Sequence, residues 1–318
     1  MKNLHHIPLI AFLLLFCAAC GDDSRQEVHF LRFEHFLFDD TGSNQQQAND
    51  FQSPLLNYHP EDPAFAQSLA DFTADPVILD IYRITDSLYH DLGWLEKELG
   101  KALSKAEKLY PTMHYDHFYT LLTADFDNYP TRVFCNQHEV AVSLDRYAVG
   151  YMQQYHYFGL PAYLVAISSA QHIVPDCMAA IAREYIVLPD GEMTLLDYAI
   201  AEGKVLYFLE QTLPNTADTL CLRYSADQLE WMEENTANVW SWLIQNRLLY
   251  TTDLTALRNL VDDAPKTNAF GDGSAPRTAS YLGWQIVRAY VKRSGCSMQQ
   301  LFDETDSQKV LTQSAWRP

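Results

Sequence analysis

Apolar residues recur at three- and four-residue steps along much of the chain, which is the spacing of amphipathic helices. The clearest stretch runs from Asp75 to Lys108. Its apolar positions are Ile78, Ile81, Tyr82, Leu88, Leu92, Leu95, Leu99 and Leu103. In its second half, Glu and Lys residues lie opposite the apolar stripe, and we interpret them as a solvated face. A shorter helix is predicted from Asp62 to Asp71.

Short runs rich in aromatic and β-branched residues predict strands. These runs are Val28–Phe33, Phe118–Ala124, Thr131–Asn136 and Glu139–Asp145. Asn-Tyr-Pro and Asn-Gln-His turns separate the last three, so we expect a small antiparallel or mixed sheet. No internal repeat indicates a solenoid or propeller. The predicted fold class is α+β, mostly helical, in a single domain with a small sheet.

Two predicted helices lie back to back in Pro175–Pro214, joined by a turn at Pro189-Asp190-Gly191. Thr194 and Asp197 have the spacing of a capping box, which predicts the start of the second helix. We expect the functional site of the protein at this helix pair.

The C-terminal third continues the helical pattern. A helix is predicted from Ser225, where Gln228 completes a second capping-box spacing. The Gly/Pro/Ser-rich segment Ala264–Ser280 is long enough to form a lid or a binding loop. Tyr281–Val291 predicts a last amphipathic helix, and Met298–Phe302 predicts a short terminal one.

The first residues have the pattern of a lipoprotein signal. Lys2 precedes the apolar run Leu9–Ala19, which is too short to cross a bilayer but suits a secretory signal. Cys20 follows at once, where an acyl chain would anchor the mature protein. An ordinary signal peptide with an incidental cysteine is the alternative. We therefore divide the chain into a signal peptide (residues 1–19), a lipidated N-terminus with its strand and a polar loop (20–53), and the α+β domain (54–318).

The charge restricts the partners. Removal of residues 1–19 takes away Lys2 alone and changes the formal net charge from −19 to −20. Such a charge excludes nucleic acid and disfavours anionic lipid surfaces as partners. We therefore expect acyl chains, not electrostatic attraction, to hold the protein on the bilayer.

Four cysteines remain after Cys17 and Cys20, and none forms a Cys-x-x-Cys motif. They are Cys135, Cys177, Cys221 and Cys296. We expect small buried thiols, with one or two disulfides as the alternative.

The helix pair has the layout of a zinc peptidase that lacks its ligands. In such an enzyme the first helix carries His-Glu-x-x-His, and a glutamate from a later helix completes the set. Here the five positions read Arg183-Glu184-Tyr185-Ile186-Val187, and the second helix carries Glu202. If all five positions are helical, Arg183 and Val187 share a face. Arg183 has no lone pair to give a metal, and Val187 has only methyl groups. We therefore expect no metal, no other cofactor and no enzymatic activity.

Arginine in place of a metal has a physical rationale. Arg183 could neutralise Glu184 or Glu202 and keep the carboxylate paired; the alternative is that Arg183 and Glu202 are ordinary surface residues. The candidate binding cleft comprises Arg183, Glu184, Val187, Glu202 and, from the Gly/Pro/Ser-rich segment, Arg277. His172, before the first helix, is the most site-like histidine, although a lone histidine is usually structural.

Six short motifs, taken with the lipoprotein start, together resemble one protein family. They are Ser143-Leu144-Asp145, Ile173-Val174-Pro175-Asp176, Arg183-Glu184-Tyr185-Ile186-Val187, Gly203-Lys204-Val205-Leu206-Tyr207, Trp231-Met232-Glu233-Glu234-Asn235 and Gly283-Trp284-Gln285-Ile286-Val287-Arg288. The chain resembles the gliding motility-associated lipoproteins GldB of Bacteroidetes over most of its mature length. Asp22-Asp23, directly after Cys20, is similar to a surface-export signal of that phylum, and leaves the periplasmic or surface face open.

The resemblance implies a lipoprotein of the cell envelope, linked to gliding motility and without an established catalytic activity. It implies other envelope proteins as partners, from the gliding machinery or, more remotely, from type IX secretion. An outer-membrane location is expected in preference to the inner membrane. The family is in turn similar to predicted zinc peptidases, which implies a zincin-like domain with a degenerate His-Glu-x-x-His helix.

Three functions stay open at this point. The first is a non-catalytic lipoprotein that acts through protein–protein contact. The second is a surface glycan-binding lipoprotein that uses aromatic residues of Tyr147–Tyr157. The third is a metal-independent hydrolase that uses Glu184.

Overall fold

A computed structural model describes residues 26–39, 59, 61–124, 131–136, 138–152 and 160–318. The strands are β1 (Phe30–Arg32), β2 (His117–Leu121), β3 (Val133–Cys135) and β4 (Glu139–Ser143). The helices are α1 (Phe33–Phe38), α2 (Pro63–Ala74), α3 (Pro76–Leu88), α4 (Gly93–Leu109), α5 (Ala162–Ala166), α6 (Ile173–Tyr185), α7 (Leu195–Thr212), α8 (Asp218–Leu222), α9 (Ala226–Gln245), α10 (Leu254–Val261), α11 (Thr278–Ser294), α12 (Met298–Asp303) and α13 (Ser307–Ser314). Short 3-10 helices lie at Leu144–Tyr147, Val149–Tyr151, Ala170–His172 and Asn268–Phe270. The predicted α+β class, mostly helical with a small sheet, is confirmed for these residues.

The four strands form one mixed sheet in the order β1-β2-β4-β3. β1 and β4 both pair with β2 in parallel, and β3 pairs with β4 antiparallel. β4 is buried along its whole length because it has a neighbour on each side and α6 packs against it. All four predicted strands are present, each shorter than its sequence pattern indicated. β1, which lies in the predicted N-terminal part, belongs to the same sheet as the others.

The single helix predicted over Asp75–Lys108 is wrong, because the chain forms two helices there. α3 ends at Leu88 and α4 begins at Gly93. The Asp91 carboxylate accepts a hydrogen bond from the Gly93 backbone N–H at 2.8 Å, which satisfies a donor at the start of the new helix. The apolar spacing continues across the break, so periodicity alone does not reveal it.

α7 and α11 cross with their backbones in close contact. A Cβ added at Gly283 would lie 1.7 Å from the Ala199 carbonyl oxygen, and one added at Gly203 would lie 2.4 Å from the Gly283 carbonyl. Only glycine fits at this crossing. The contact holds Glu202, next to Gly203, at a fixed distance from the start of α11.

The first helix of the central pair is shorter than predicted. α6 ends at Tyr185, and Ile186 is already extended. The Val187 backbone N–H leaves the helix pattern and donates to the Phe302 carbonyl oxygen at 3.0 Å. Pro189 disfavours helical backbone in the residue before it. Arg183 and Val187 therefore do not share a helical face, and the expectation that they do is wrong.

The capping boxes at Thr194–Asp197 and Ser225–Gln228 are confirmed, with the side-chain and backbone hydrogen bonds of each present. The predicted lid segment, by contrast, is buried from Ser274 to Ser280 and leads directly into α11. It is therefore a packed part of the domain over those residues. α13, which the sequence analysis did not predict, follows the expected short helix α12.

Cys135, Cys177, Cys221 and Cys296 are free thiols. Cys177 is buried as expected and the other three are half-buried. Among the described residues, no helix is long and apolar enough to cross a membrane. The signal peptide, Cys20, Asp22-Asp23 and residues 153–157 of the aromatic stretch Tyr147–Tyr157 lie outside the described residues.

Candidate functional site

Glu202 is held by two arginines from different parts of the chain. Arg183, on α6, donates from Nε to Glu202 Oε1 at 3.2 Å and from Nη2 to both carboxylate oxygens at 3.0 Å. Arg277, at the start of α11, donates from Nη2 to Glu202 Oε2 at 3.0 Å. The Arg277 side chain is 8% exposed and Glu202 18%, whereas Arg183 is 46% exposed. The crossing of α7 and α11 thus brings Glu202 and Arg277 together, and α6 adds Arg183 as the third candidate residue.

Asp176, on α6, is the centre of a second group of contacts. Arg223 Nη2 donates to Asp176 Oδ1 at 2.6 Å, and the Tyr147 hydroxyl donates to Oδ2 at 2.8 Å. Arg132 Nη1 lies 3.5 Å from the same Oδ2. The Asp176 carboxylate is buried, so these partners replace the water that it loses.

Asp263 connects the two groups. Its Oδ2 accepts a hydrogen bond from Arg223 Nη1, and its Oδ1 lies 3.7 Å from Arg277 Nε. We call the seven residues the arginine–carboxylate network: Arg132, Arg183, Arg223, Arg277, Asp176, Glu202 and Asp263. Four positive charges face three negative ones in it.

The pKa values of the network carboxylates follow from these contacts. Burial alone would raise the pKa of Glu202, but the positive charges of Arg183 and Arg277 hold it below its ordinary value. At Asp176 and Asp263, too, the positive charges of neighbouring arginines outweigh the effect of burial, so the pKa values of both carboxyls are lowered. All three are therefore ionised at neutral pH.

Two of the arginines have strained backbones. Arg223 has φ of 60° and Arg277 has φ of 49°, both in the left-handed region that favours glycine. Arg223 ends α8, and Arg277 Nη1 donates to the carbonyl oxygen of Leu222 at 2.9 Å. The network contacts hold both residues in a conformation that costs free energy.

An open groove of about 490 Å³ lies beside the network. Its lining includes Arg132, Arg183 and Arg223, with Asp176 on its floor and Glu184 at its edge. Arg183 and Glu184 are exposed there. Val187 is not among the lining residues. The groove therefore contains two of the candidate cleft residues and three network arginines.

The donor set does not fit a zinc ion. Among the described residues, no group of three His, Cys, Asp or Glu side chains is placed to hold a metal. Both oxygens of Glu202 point to arginines, which a cation would have to displace. His172 is buried, and burial lowers its pKa; its Nδ1 lies 2.9 Å from the Ser169 hydroxyl.

Comparison with known proteins gives a family. The family model described as gliding motility protein GldB matches residues 21–318. The chain belongs to the GldB family. This membership makes it a lipoprotein of the cell envelope associated with gliding motility, as its resemblance to the family implied.

No curated protein and no solved structure matches this GldB chain. The zincin-like fold is therefore a prediction that no solved structure supports. The architecture described above is a mostly helical α+β domain, and the resemblance of α6 to a His-Glu-x-x-His helix ends at Tyr185.

Sequence reasoning found Arg183, Glu202 and Arg277 but missed four of the network residues. These are Arg132, Asp176, Arg223 and Asp263. A usable signal existed for Asp176 alone, because a carboxylate within the apolar run Ile173–Ala182 of α6 needs a partner. The other three come from loops or helix ends, where no periodic pattern indicates burial.

Proposed function

We propose that this GldB-family chain is a non-catalytic lipoprotein, anchored through acylated Cys20, that acts in gliding motility by protein–protein contact. The observation that carries the proposal is the state of Glu202, whose two oxygens accept hydrogen bonds from Arg183 and Arg277. Glu202 stands where a zinc peptidase has a metal ligand, and it already binds two arginines of its own chain.

Asp176 and Asp263, the other carboxylates of the network, are poor candidates for a general base. A base must lie within hydrogen-bond reach of its substrate and keep a free lone pair. Asp176 and Asp263 are bound to arginines and have lowered pKa values. Glu184 is exposed at the edge of the groove. A hydrolase built on Glu184 is the alternative that an assay has to exclude.

The groove is the contact surface that the geometry favours. One exposed member, Arg183, is bound to Glu202 of the network, so its position is fixed before a partner arrives. Exposed Arg183 and Glu184, which are neighbours in sequence at this groove, suit an envelope protein that presents complementary charges. We place the protein at the outer membrane, with gliding or secretion proteins as its partners.

Enzymatic function is tested with the purified lipoprotein. We expect no stoichiometric metal in elemental analysis and no cleavage of peptide, ester or glycoside substrates. Hydrolysis that is lost in Glu184→Gln and kept in Glu192→Gln, an exposed control, would replace the proposal with the hydrolase.

Contact through the groove is tested in the native envelope. A photo-crosslinking amino acid at Glu184 should yield a discrete protein adduct, and Arg183→Glu should abolish it. The same amino acid at Glu233, an exposed position on α9, serves as the control. Equal adducts at both positions, or an adduct insensitive to Arg183→Glu, would contradict a role for the groove. Binding to glycan arrays in place of a protein adduct would favour the glycan-binding alternative.

A further inference from the structure

One helix carries an outward face of lysines. Four of the nine lysines in the chain lie on α4, at positions 97, 101, 105 and 108. At 100° per residue these four and Trp94 fall within an arc of about 80°. The buried side of α4, with Leu95, Leu99 and Ala106, lies opposite. We call Trp94, Lys97, Lys101, Lys105 and Lys108 the α4 lysine face.

The carboxylates of α4 do not neutralise this face. Glu96 accepts a hydrogen bond from the Phe30 backbone N–H, and Glu107 lies 2.9 Å from His114 Nδ1. Only Glu98 pairs with the lysine face, through Lys101 at 2.6 Å. Within the described part of the chain no carboxylate lies within ion-pair distance of the other three lysines.

Trp94 adds an aromatic side chain to the same face. It is 40% exposed although tryptophan is usually well buried. Tryptophan is enriched at the boundary between lipid and water, where its ring and its N–H are both accommodated. Lysines around an exposed tryptophan are the composition of a helix that lies on a membrane surface.

The N-terminal segment is fixed along α4. The Gln26 backbone N–H donates to the Ser104 hydroxyl at 2.7 Å. A Cβ added at Gly100 would lie 2.5 Å from the Gln26 carbonyl oxygen, so only glycine allows the segment to approach the helix this closely. The point where the chain enters the fold is therefore held against α4.

Cys20 is only six residues before Gln26. Six residues span at most about 20 Å even when fully extended. A lipid on Cys20 therefore keeps α4 within about 20 Å of the bilayer surface. The length of chain between anchor and helix thus points to the membrane as the occupant of the lysine face.

We infer that the α4 lysine face lies on the membrane surface and binds the phosphate groups of anionic lipids. The inference rests on the proposed anchor at Cys20. The net charge of −20 of the mature chain does not oppose it, because charges beyond a Debye length of about 8–10 Å are largely screened. The inference differs from the expectation, drawn from the sequence, that acyl chains and not electrostatic attraction hold the protein on the bilayer.

The test uses the lipoprotein as purified, in vesicles of phosphatidylcholine and phosphatidylglycerol with brominated acyl chains. Bromine quenches tryptophan emission at the membrane. Because the chain has six tryptophans, the difference between wild type and Trp94→Phe isolates Trp94. We expect that difference to be large, to fall at high salt, and to vanish in vesicles of phosphatidylcholine alone.

The lysines are tested by Lys97→Gln, Lys101→Gln, Lys105→Gln and Lys108→Gln together, which keep helix propensity. Each lysine at a membrane surface changes the contact equilibrium about fivefold, so the combined variant should lose the Trp94 quenching. The control variant removes the same number of positive charges elsewhere, at Lys266, Lys292, Lys309 and Arg293. It should keep the Trp94 quenching. Circular dichroism verifies that both variants are folded.

The outcomes separate the face from the anchor. Mass spectrometry reports whether Cys20 is acylated. An acylated chain that floats with vesicles without Trp94 quenching keeps the anchor and overturns the membrane face. An unacylated chain with lysine-dependent quenching overturns the anchor and keeps the face. Quenching that survives in the four-lysine variant shows that the lysines do not hold Trp94 at the membrane and overturns the inference.

Discussion

The arginine–carboxylate network and the α4 lysine face are two concentrations of positive charge in an acidic chain. In the network, four arginines meet three carboxylates between α6, α7 and α11, and all of these groups except Arg183 are buried or half-buried. On α4, four lysines point outward from one helix, and one of them pairs with a carboxylate in the described part of the chain. One set of charges is satisfied inside the protein and the other is presented outside it.

The difference follows the chemistry of the two side chains. Arginine keeps its charge when buried and binds carboxylates through two parallel hydrogen bonds, as Arg183 does with Glu202 through Nε and Nη2. Lysine is a strongly hydrated point charge that is best left in water or placed against an external anion. The network is therefore expected to control stability, and the lysine face to control location. Substitutions in each region test whether the network controls stability and whether the lysine face leaves it unchanged.

The largest loss of stability is expected at the crossing of α7 and α11, which positions Glu202 and Arg277. Gly283→Ala places a methyl group 1.7 Å from the Ala199 carbonyl oxygen, so α11 has to move away from α7 and carries Arg277 with it. We expect a loss of about 4 kcal/mol or more in the free energy of unfolding, measured by urea denaturation. Gly273→Ala, in a loop with φ of 83° and nothing within 4 Å, is the control for backbone strain alone. Equal losses in the two variants would show that the helix crossing is not the tight contact described here.

The next effect is expected inside the network. Asp176→Asn keeps the size of the side chain but leaves Arg132 and Arg223 without their shared carboxylate. Breaking a buried ion pair from one side costs about 3–5 kcal/mol. Urea denaturation at neutral pH should show a loss of about 3 kcal/mol, against less than about 0.5 kcal/mol for the exposed control Asp190→Asn. A loss as small as the control's would mean that the network does not stabilise the fold.

The two regions also differ in how far the sequence predicts them. The α4 stripe is visible from periodicity, because Lys97, Lys101 and Lys105 are four residues apart on a helix whose apolar positions are evident. Its position beside the lipid anchor is not visible, since that depends on the contact between Gln26 and Ser104. The network is hidden for a stronger reason. Its residues come from positions 132 to 277, and only tertiary packing brings them together.

The same limit applies to the helix boundaries. Capping boxes at Thr194 and Ser225 predicted the starts of α7 and α9 correctly because a cap is a local interaction. The end of α6 at Tyr185 depends partly on Phe302, which accepts the Val187 N–H from more than a hundred residues away. Local pattern therefore identified the helix pair, and long-range contacts decided where its first helix ends.

A buried lysine provides a third test, of intermediate size. Lys204 is 2% exposed and donates to the Glu304 carbonyl oxygen at 2.5 Å. Burial lowers its pKa to about 8, against the opposing effect of the nearby Glu304 and Asp303 carboxylates. In the unfolded chain Lys204 keeps its proton to about pH 10.4. Between pH 8 and pH 10 the unfolded state therefore binds more protons, and stability should rise with pH by about 2 kcal/mol.

Lys204→Met is the matched variant, because methionine fills similar space without a charge. From pH 8 to pH 10, the free energy of unfolding of wild type should rise by about 2 kcal/mol relative to that of Lys204→Met. Tyrosines that titrate in this range act equally on both proteins and cancel. A difference that stays constant with pH would mean that Lys204 is protonated in the fold throughout.

The smallest effect is expected on the α4 lysine face itself. The combined change of Lys97, Lys101, Lys105 and Lys108 to glutamine removes four positive charges from the surface and one surface ion pair with Glu98. Lysine and glutamine have similar helix propensities, and an exposed pair contributes about 0–1 kcal/mol. The free energy of unfolding should therefore change by less than about 1 kcal/mol at neutral pH. A loss of the size expected for Asp176→Asn would show that the lysines support the fold, and the contrast between an internal and an external set of charges would fail.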